Sequence, residues 1–217
     1  MSVIQHLPPV AVEGQGSSGS GGPDHPMRAV TRRAAGFHPG GWTADLRHEV
    51  EGYFDGLAPE WHTRPTPQRT AVVMDALGRG LGPVGSPAGL AVEVGSGIGT
   101  YSGLLAERFA AVLAADLSRS MLRRAPAGPA HRVQADAAML PMRSASAAAV
   151  VLINTFLFPA EVERVLAPDG VLIWVNTSGE QTPIYLSADD LVAALPGQWT
   201  GTAGVAGDGH WCVLRRM

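Results

Sequence analysis

The chain is 217 residues long, with 46% apolar and 16% charged residues and a formal net charge of −3. It has no apolar run of the roughly 18–20 residues that a membrane-spanning helix needs, and its opening, MSVIQHLPPV, lacks the charged-then-apolar order of a secretory signal. All 16 basic residues are arginine, which excludes lysine Schiff-base chemistry and a P-loop lysine. The single cysteine, Cys212, excludes an internal disulfide or a multi-cysteine metal site. A slightly acidic balance gives no footprint for nucleic acid. The expectation is a small cytoplasmic protein with one core and neither a nucleic-acid nor a membrane partner.

Residues 1–26 contain a Gly-Ser run and several prolines. So little apolar area cannot offset the entropy of ordering, which predicts a disordered leader within an irregular segment, 1–42. From Thr43 the pattern turns helical, with Leu46, Val50, Tyr53 and Phe54 on one face. A second helix is predicted from Pro67 to about Leu77, and the Gly-Pro-rich stretch 78–89 reads as a connector. Residues 43–89 are thus a helical cap preceding an α/β domain at 90–217.

In that domain short apolar runs alternate with helical segments, the mark of a parallel sheet. Strands are predicted at 90–94, 111–115, 131–134, 148–153 and 171–175. Helices are predicted near 101–109, 118–124, 159–166 and 188–195. The segments 199–206 and 210–214 flank Gly207-Asp208-Gly209, a hairpin signal. The fold class is α/β: parallel strands, a C-terminal antiparallel hairpin and helices on both faces.

The chemistry centres on Glu93-Val94-Gly95-Ser96-Gly97-Ile98-Gly99-Thr100, where a strand enters a glycine-rich turn ahead of a helix. Glycines let a ligand approach the backbone, and a helix start offers unpaired amides. Thr100 occupies the sixth position, where the dinucleotide fingerprint needs glycine or alanine. The next predicted strand leads into Asp116-Leu117-Ser118, whose carboxylate faces the crevice where α/β sheets bind ligands and can accept two ribose hydroxyls.

These motifs, with Ala135-Asp136-Ala137, Leu140-Pro141 and the run from Glu161 to Leu172, resemble the class I S-adenosylmethionine-dependent methyltransferases. The resemblance spans about residues 45–217 and implies their Rossmann-like fold, S-adenosyl-L-methionine as cofactor, S-adenosyl-L-homocysteine as product, and a small-molecule methyl acceptor. It also implies that Gly95, Ser96 and Gly97 line the methionine portion, with Glu93 holding the loop or meeting the amino group. Asp116 would bind the ribose hydroxyls and Leu117 cover one adenine face. Asp136 would accept from the adenine amino group, the Ala137 amide would reach a ring nitrogen, and Asn154 would lie beneath the sulfonium. Tyr53-Phe54-Asp55 with Ala58 and Trp61 is similar to the lid helix of the quinone-biosynthesis branch, with His62 and Arg64 as further lid candidates; a plain packing helix is the alternative.

The chain departs from that pattern after the fourth strand, where Asn154 leads almost directly into the Pro159 helix, so one wall of the pocket is short. Asn154 and Asn176 stand where catechol-type relatives carry metal-binding aspartate, and no metal is expected. No catalytic base is assigned; His38, His48, His62 and His210 are the candidates considered. The arginine-only, Ala-Gly-rich composition suggests a bacterial source. A non-catalytic cofactor-binding protein with a regulatory or assembly role is the alternative reading.

Overall fold

The computed structural model describes residues 2–14, 21–82 and 85–217. Its eight described strands form a single sheet in the order β1-β7-β8-β6-β5-β2-β3-β4. The parallel part is Leu90–Val94 (β2), Ala111–Asp116 (β3), His131–Gln134 (β4), Ala147–Ile153 (β5) and Leu166–Asn176 (β6). Trp199–Ala206 (β7) and Gly209–Arg216 (β8) form the antiparallel hairpin, with β8 against β6. β2, β3, β5 and the second half of β6 read as apolar runs because both sheet faces are covered there. Val92, Val150, Leu172 and Trp174 pack on one face, with Val162 and Leu191 of the helices Pro159–Val165 (α6) and Ala188–Ala194 (α7). Ala91, Val151, Ile173 and Val175 pack on the other, with Val72 and Val73 of Pro67–Asp75 (α3) and Leu105 of Ser102–Ala106 (α4).

Thr43 caps the helix Ala44–Leu57 (α2) by accepting the Leu46 amide, and Thr66 caps α3 through the Arg69 amide. Beyond α2, residues Ala58–Thr63 form a 3₁₀ helix. The strand predicted at 171–175 begins earlier, at Leu166, because Ala147 pairs with Leu166 and Ala149 with Val171. Ala167–Gly170 therefore bulges out between two paired registers.

The leader differs from the disordered segment that its composition predicts. Val3–His6 (β1) pairs in parallel with β7, and Val10 bridges to Ala206. The free edge of β7 offers unpaired backbone groups, and a few residues satisfy them without a large apolar face. The Gly-Ser run at 15–20 lies outside the described residues. Met27–Ala34 (α1) follows, and Met27 packs with Leu46, Val50, Phe156, Phe158 and Ile184. α1 thus covers the flank where the segment between β5 and α6 is short. No helix among the described residues is long and apolar enough to cross a membrane.

Candidate active site

The glycine loop leaves β2 at the centre of the sheet, where the order reverses between β3 on one side and β5 on the other. Gly95 and Gly97 both adopt left-handed backbone, at φ 65° and 56°. A Cβ on Gly95 would lie 2.2 Å from Thr155 Oγ1, so loop and strand end can touch only through glycine. The turn closes by Ser96 N–H donating to Ala115 O at 3.1 Å and Gly99 N–H to Ser96 O at 2.9 Å.

Asp116, at the end of β3, accepts the Gly97 amide on Oδ2 and the Ser118 amide on Oδ1, each at 2.7 Å. Burial pushes its carboxyl up to about 6 against these two donors. Glu93 is deeper still; burial raises it to about 7, although Ser102 Oγ–H donates to it and the nearby Asp116 charge adds to the rise. The Ser102 bond ties the end of β2 to the first residue of α4.

A pocket of about 200 Å³ opens above the loop. It is lined by Glu93, Gly95, Ser96, Gly97, Asp116, Leu117, Asp136, Ala137 and Asn154, all nine residues singled out from sequence. Ser96 Oγ is buried in this lining and, among the described residues, has no hydrogen-bond partner. Asp136 accepts Trp42 Nε1–H at 3.1 Å on both oxygens and the Ala138 amide on Oδ1 at 2.9 Å. These contacts occupy three of the roughly four lone-pair sites of the carboxylate and leave acceptor capacity on Oδ2. Asn154 has a left-handed backbone, φ 51°. Its side chain clips β5 to β6: Nδ2–H donates to Thr177 Oγ1 and Oδ1 accepts the Thr177 amide, both at 2.8 Å.

From the cap, Tyr53, Phe54 and Trp61 line the same pocket, together with Arg64. Trp61 Nε1 is 3.1 Å from where a Gly97 Cβ would stand, and the Arg64 guanidinium lies 4.7 Å from the Trp61 ring. Asp55, on α2, accepts Ser118 Oγ–H and the Ser120 amide, tying the cap to the start of Arg119–Arg124 (α5). Those hydrogen bonds hold its carboxyl below the ordinary value even though burial acts the other way.

Sequence reasoning missed several lining residues: His25, Met27, Trp42, Arg69, Thr177 and Gln181. Trp42 and His25 sit in low-complexity surroundings, and only tertiary contact gives them a role. None of the four histidines considered as bases lines the pocket; His25 does. Its Nδ1 accepts the Met27 amide at 3.2 Å, so the neutral ring carries its proton on Nε2 and serves as a donor.

Residues 92–174 match the methyltransferase domain family. That match covers under two-fifths of the chain and includes the glycine loop, Asp116, Asp136 and Asn154. The fold is shared with solved structures at low identity. One is DhpI in complex with SAH, at 19% identity and a TM-score of 0.64, covering 81% of this chain and 98% of that one. The DhpI-SAM-HEP complex aligns at 21% identity and a TM-score of 0.63, covering 80% and 99%. A putative S-adenosyl-L-methionine-dependent methyltransferase from Methanococcus maripaludis aligns at 16% identity and a TM-score of 0.52, covering 80% and 93%. No curated protein sequence matches the chain.

Proposed function

We propose that this methyltransferase domain transfers a methyl group to a small-molecule acceptor held beside the cofactor in the pocket above the Gly95–Gly97 loop. The observation that carries the reading is the pairing of a glycine cradle with the unpartnered, buried Ser96 Oγ, both opening into a pocket rimmed by Asp116 and Asp136. A buried hydroxyl without a partner carries a desolvation cost that a ligand's polar group removes. The donor set suits an adenosyl amino acid: carboxylates for ribose and adenine donors, and loop amides beside glycines with no side chain in the way.

In this reading Gly95, Ser96, Gly97 and Glu93 hold the amino-acid end. Asp116 accepts from the ribose hydroxyls, Leu117 covers the adenine, and Asp136 with the Ala137 amide reads its edge. Asn154 keeps the ends of β5 and β6 together beneath the reacting centre. When bound, S-adenosylmethionine supplies a methyl group already activated by its sulfonium, so the protein's work is positioning and water exclusion. Trp61 and Phe54 cover one side of the pocket, and Met27, Phe156 and Ile184 make the other apolar. A small acceptor fits this reading because the leader, the cap and the segment 177–184 all converge on the pocket.

Titration calorimetry with S-adenosylhomocysteine tests the cofactor half of the proposal. For the acceptor half, the protein is incubated with isotopically methyl-labelled S-adenosylmethionine and a small-metabolite extract. Mass spectrometry should reveal a labelled small molecule; label appearing only on protein or nucleic acid would overturn the acceptor class.

A further inference from the structure

The chain crosses its own pocket before the domain begins. Within residues 21–27, His25 and Met27 line the cavity. Facing them are Gln181, Thr182, Pro183 and Ile184, which follow β6 and line the same cavity. The two segments meet along a narrow seam. A Cβ built on Gly21 would stand 2.3 Å from the Gln181 carbonyl oxygen and 2.8 Å from Pro183 Cδ. No side chain, not even a methyl group, fits at that position while the seam is closed.

We infer that residues 21–27 are a strap closing the ligand pocket, and that the Gly21–Gln181 seam must part for ligand to enter and leave. The inference rests on the reading of this pocket as the ligand site. The downstream end of the strap is firmly tied. Met27 is buried and Thr31 Oγ–H donates to its carbonyl at 2.7 Å.

Across the mouth the hydrogen bonds are few. The Gly22 amide donates to Gln181 O at a long 3.3 Å, and the Arg28 guanidinium donates to Glu180 O. A segment anchored at its downstream end and lightly held before it opens locally at far lower cost than the sheet. Its opening would uncover the pocket without unfolding the core.

The test uses the full chain, S-adenosylhomocysteine and acrylamide. Trp42 and Trp61 line the pocket, whereas Trp174, Trp199 and Trp211 are only 2%, 0% and 2% exposed. Quenching of tryptophan fluorescence by acrylamide therefore reports on the pocket. Gly21→Ala should force the seam apart, raise quenching, and speed stopped-flow dissociation of S-adenosylhomocysteine by about threefold to tenfold, the equivalent of one hydrogen bond. Arg28→Met cuts the other tie and should act in the same direction, which keeps the test decisive should Gly21→Ala misfold. Wild-type quenching and dissociation in both variants would overturn the strap, as would raised quenching with an unchanged dissociation rate. Failure of the parent protein to bind S-adenosylhomocysteine would instead sink the cofactor reading, and quenching alone would then decide whether the strap opens.

Discussion

Asp116 Oδ2 accepts the Gly97 amide at 2.7 Å across 19 residues of sequence. One carboxylate thus shapes the glycine loop and also borders the pocket. The role expected from sequence, ribose recognition, is joined by one that only the folded chain reveals.

Asp116→Ala is expected to injure both roles. Two buried amides lose their acceptor, at about 1–3 kcal/mol each in stability. S-adenosylhomocysteine affinity should fall about tenfold or more with loss of the charged acceptor. Denaturant unfolding and calorimetry measure the two separately. Equal affinity in variant and parent would reject the assignment of Asp116 to the ribose.

The two buried carboxyls make a pH prediction. In the folded, empty protein Asp116 is raised from 3.8 to about 6 and Glu93 from 4.5 to about 7, chiefly by burial. Between the unfolded and folded values the native state binds more protons than the unfolded chain, so its stability falls as pH rises from about 4 to about 7. Ligand donors favour the ionised carboxylates, so S-adenosylhomocysteine should bind more weakly at the acid end of that window and release protons on binding there. Calorimetry in buffers of different ionisation enthalpy reads the proton release directly. Proton-neutral binding across the window would contradict it.

The Asn154–Thr177 clip separates backbone from side chain. Asn154→Ala loses both hydrogen bonds and must hold a left-handed φ of 51°, a conformation that costs a side-chain-bearing residue about 1–2 kcal/mol. Asn154→Gly loses the same bonds without that steric cost. The alanine variant should therefore be less stable than the glycine variant by chemical denaturation. The reverse order would show that the strand-end geometry does not depend on the left-handed turn.

Tyr53, Phe54 and Trp61 reach the pocket from α2 and the 3₁₀ helix after it. If they form a lid, peptides spanning 45–66 should exchange amide hydrogens quickly in the empty protein and more slowly with S-adenosylhomocysteine. Equal and high protection in both states would leave an ordinary packing helix.

Removal of residues 1–26 extends the same logic to the leader. A disordered tail would be dispensable. With β1 on β7 and the Trp199 amide donating to Ser2 Oγ, the truncated protein should instead melt several degrees lower, about 2–4 °C for each kcal/mol lost in a chain of this size. An unchanged melting temperature would mean that these contacts add nothing to stability.

The α/β core and the loop–strand part of the site were legible in sequence because they rest on local patterns. Four of the five parallel strands contain apolar runs, and Gly95-Ser96-Gly97 with Asp116 follows strand ends whose order the topology rules restrict. All nine residues that the family resemblance implied line one pocket. What stayed hidden came from contacts between segments far apart in the chain. The tie of Trp42 to Asp136 spans 94 residues, and that of Arg28 to Glu180 spans 152. No composition or period marks either end of such a pair. The leader's few apolar residues carried no strand signal of their own, and they became β1 because the unpaired edge of β7 was there to receive them. The sequence by itself thus determined the sheet, the glycine turn and the carboxylate at the strand end. Tertiary structure alone decided what closes the pocket, because closure depends on the proximity of distant segments and not on the preferences of any one.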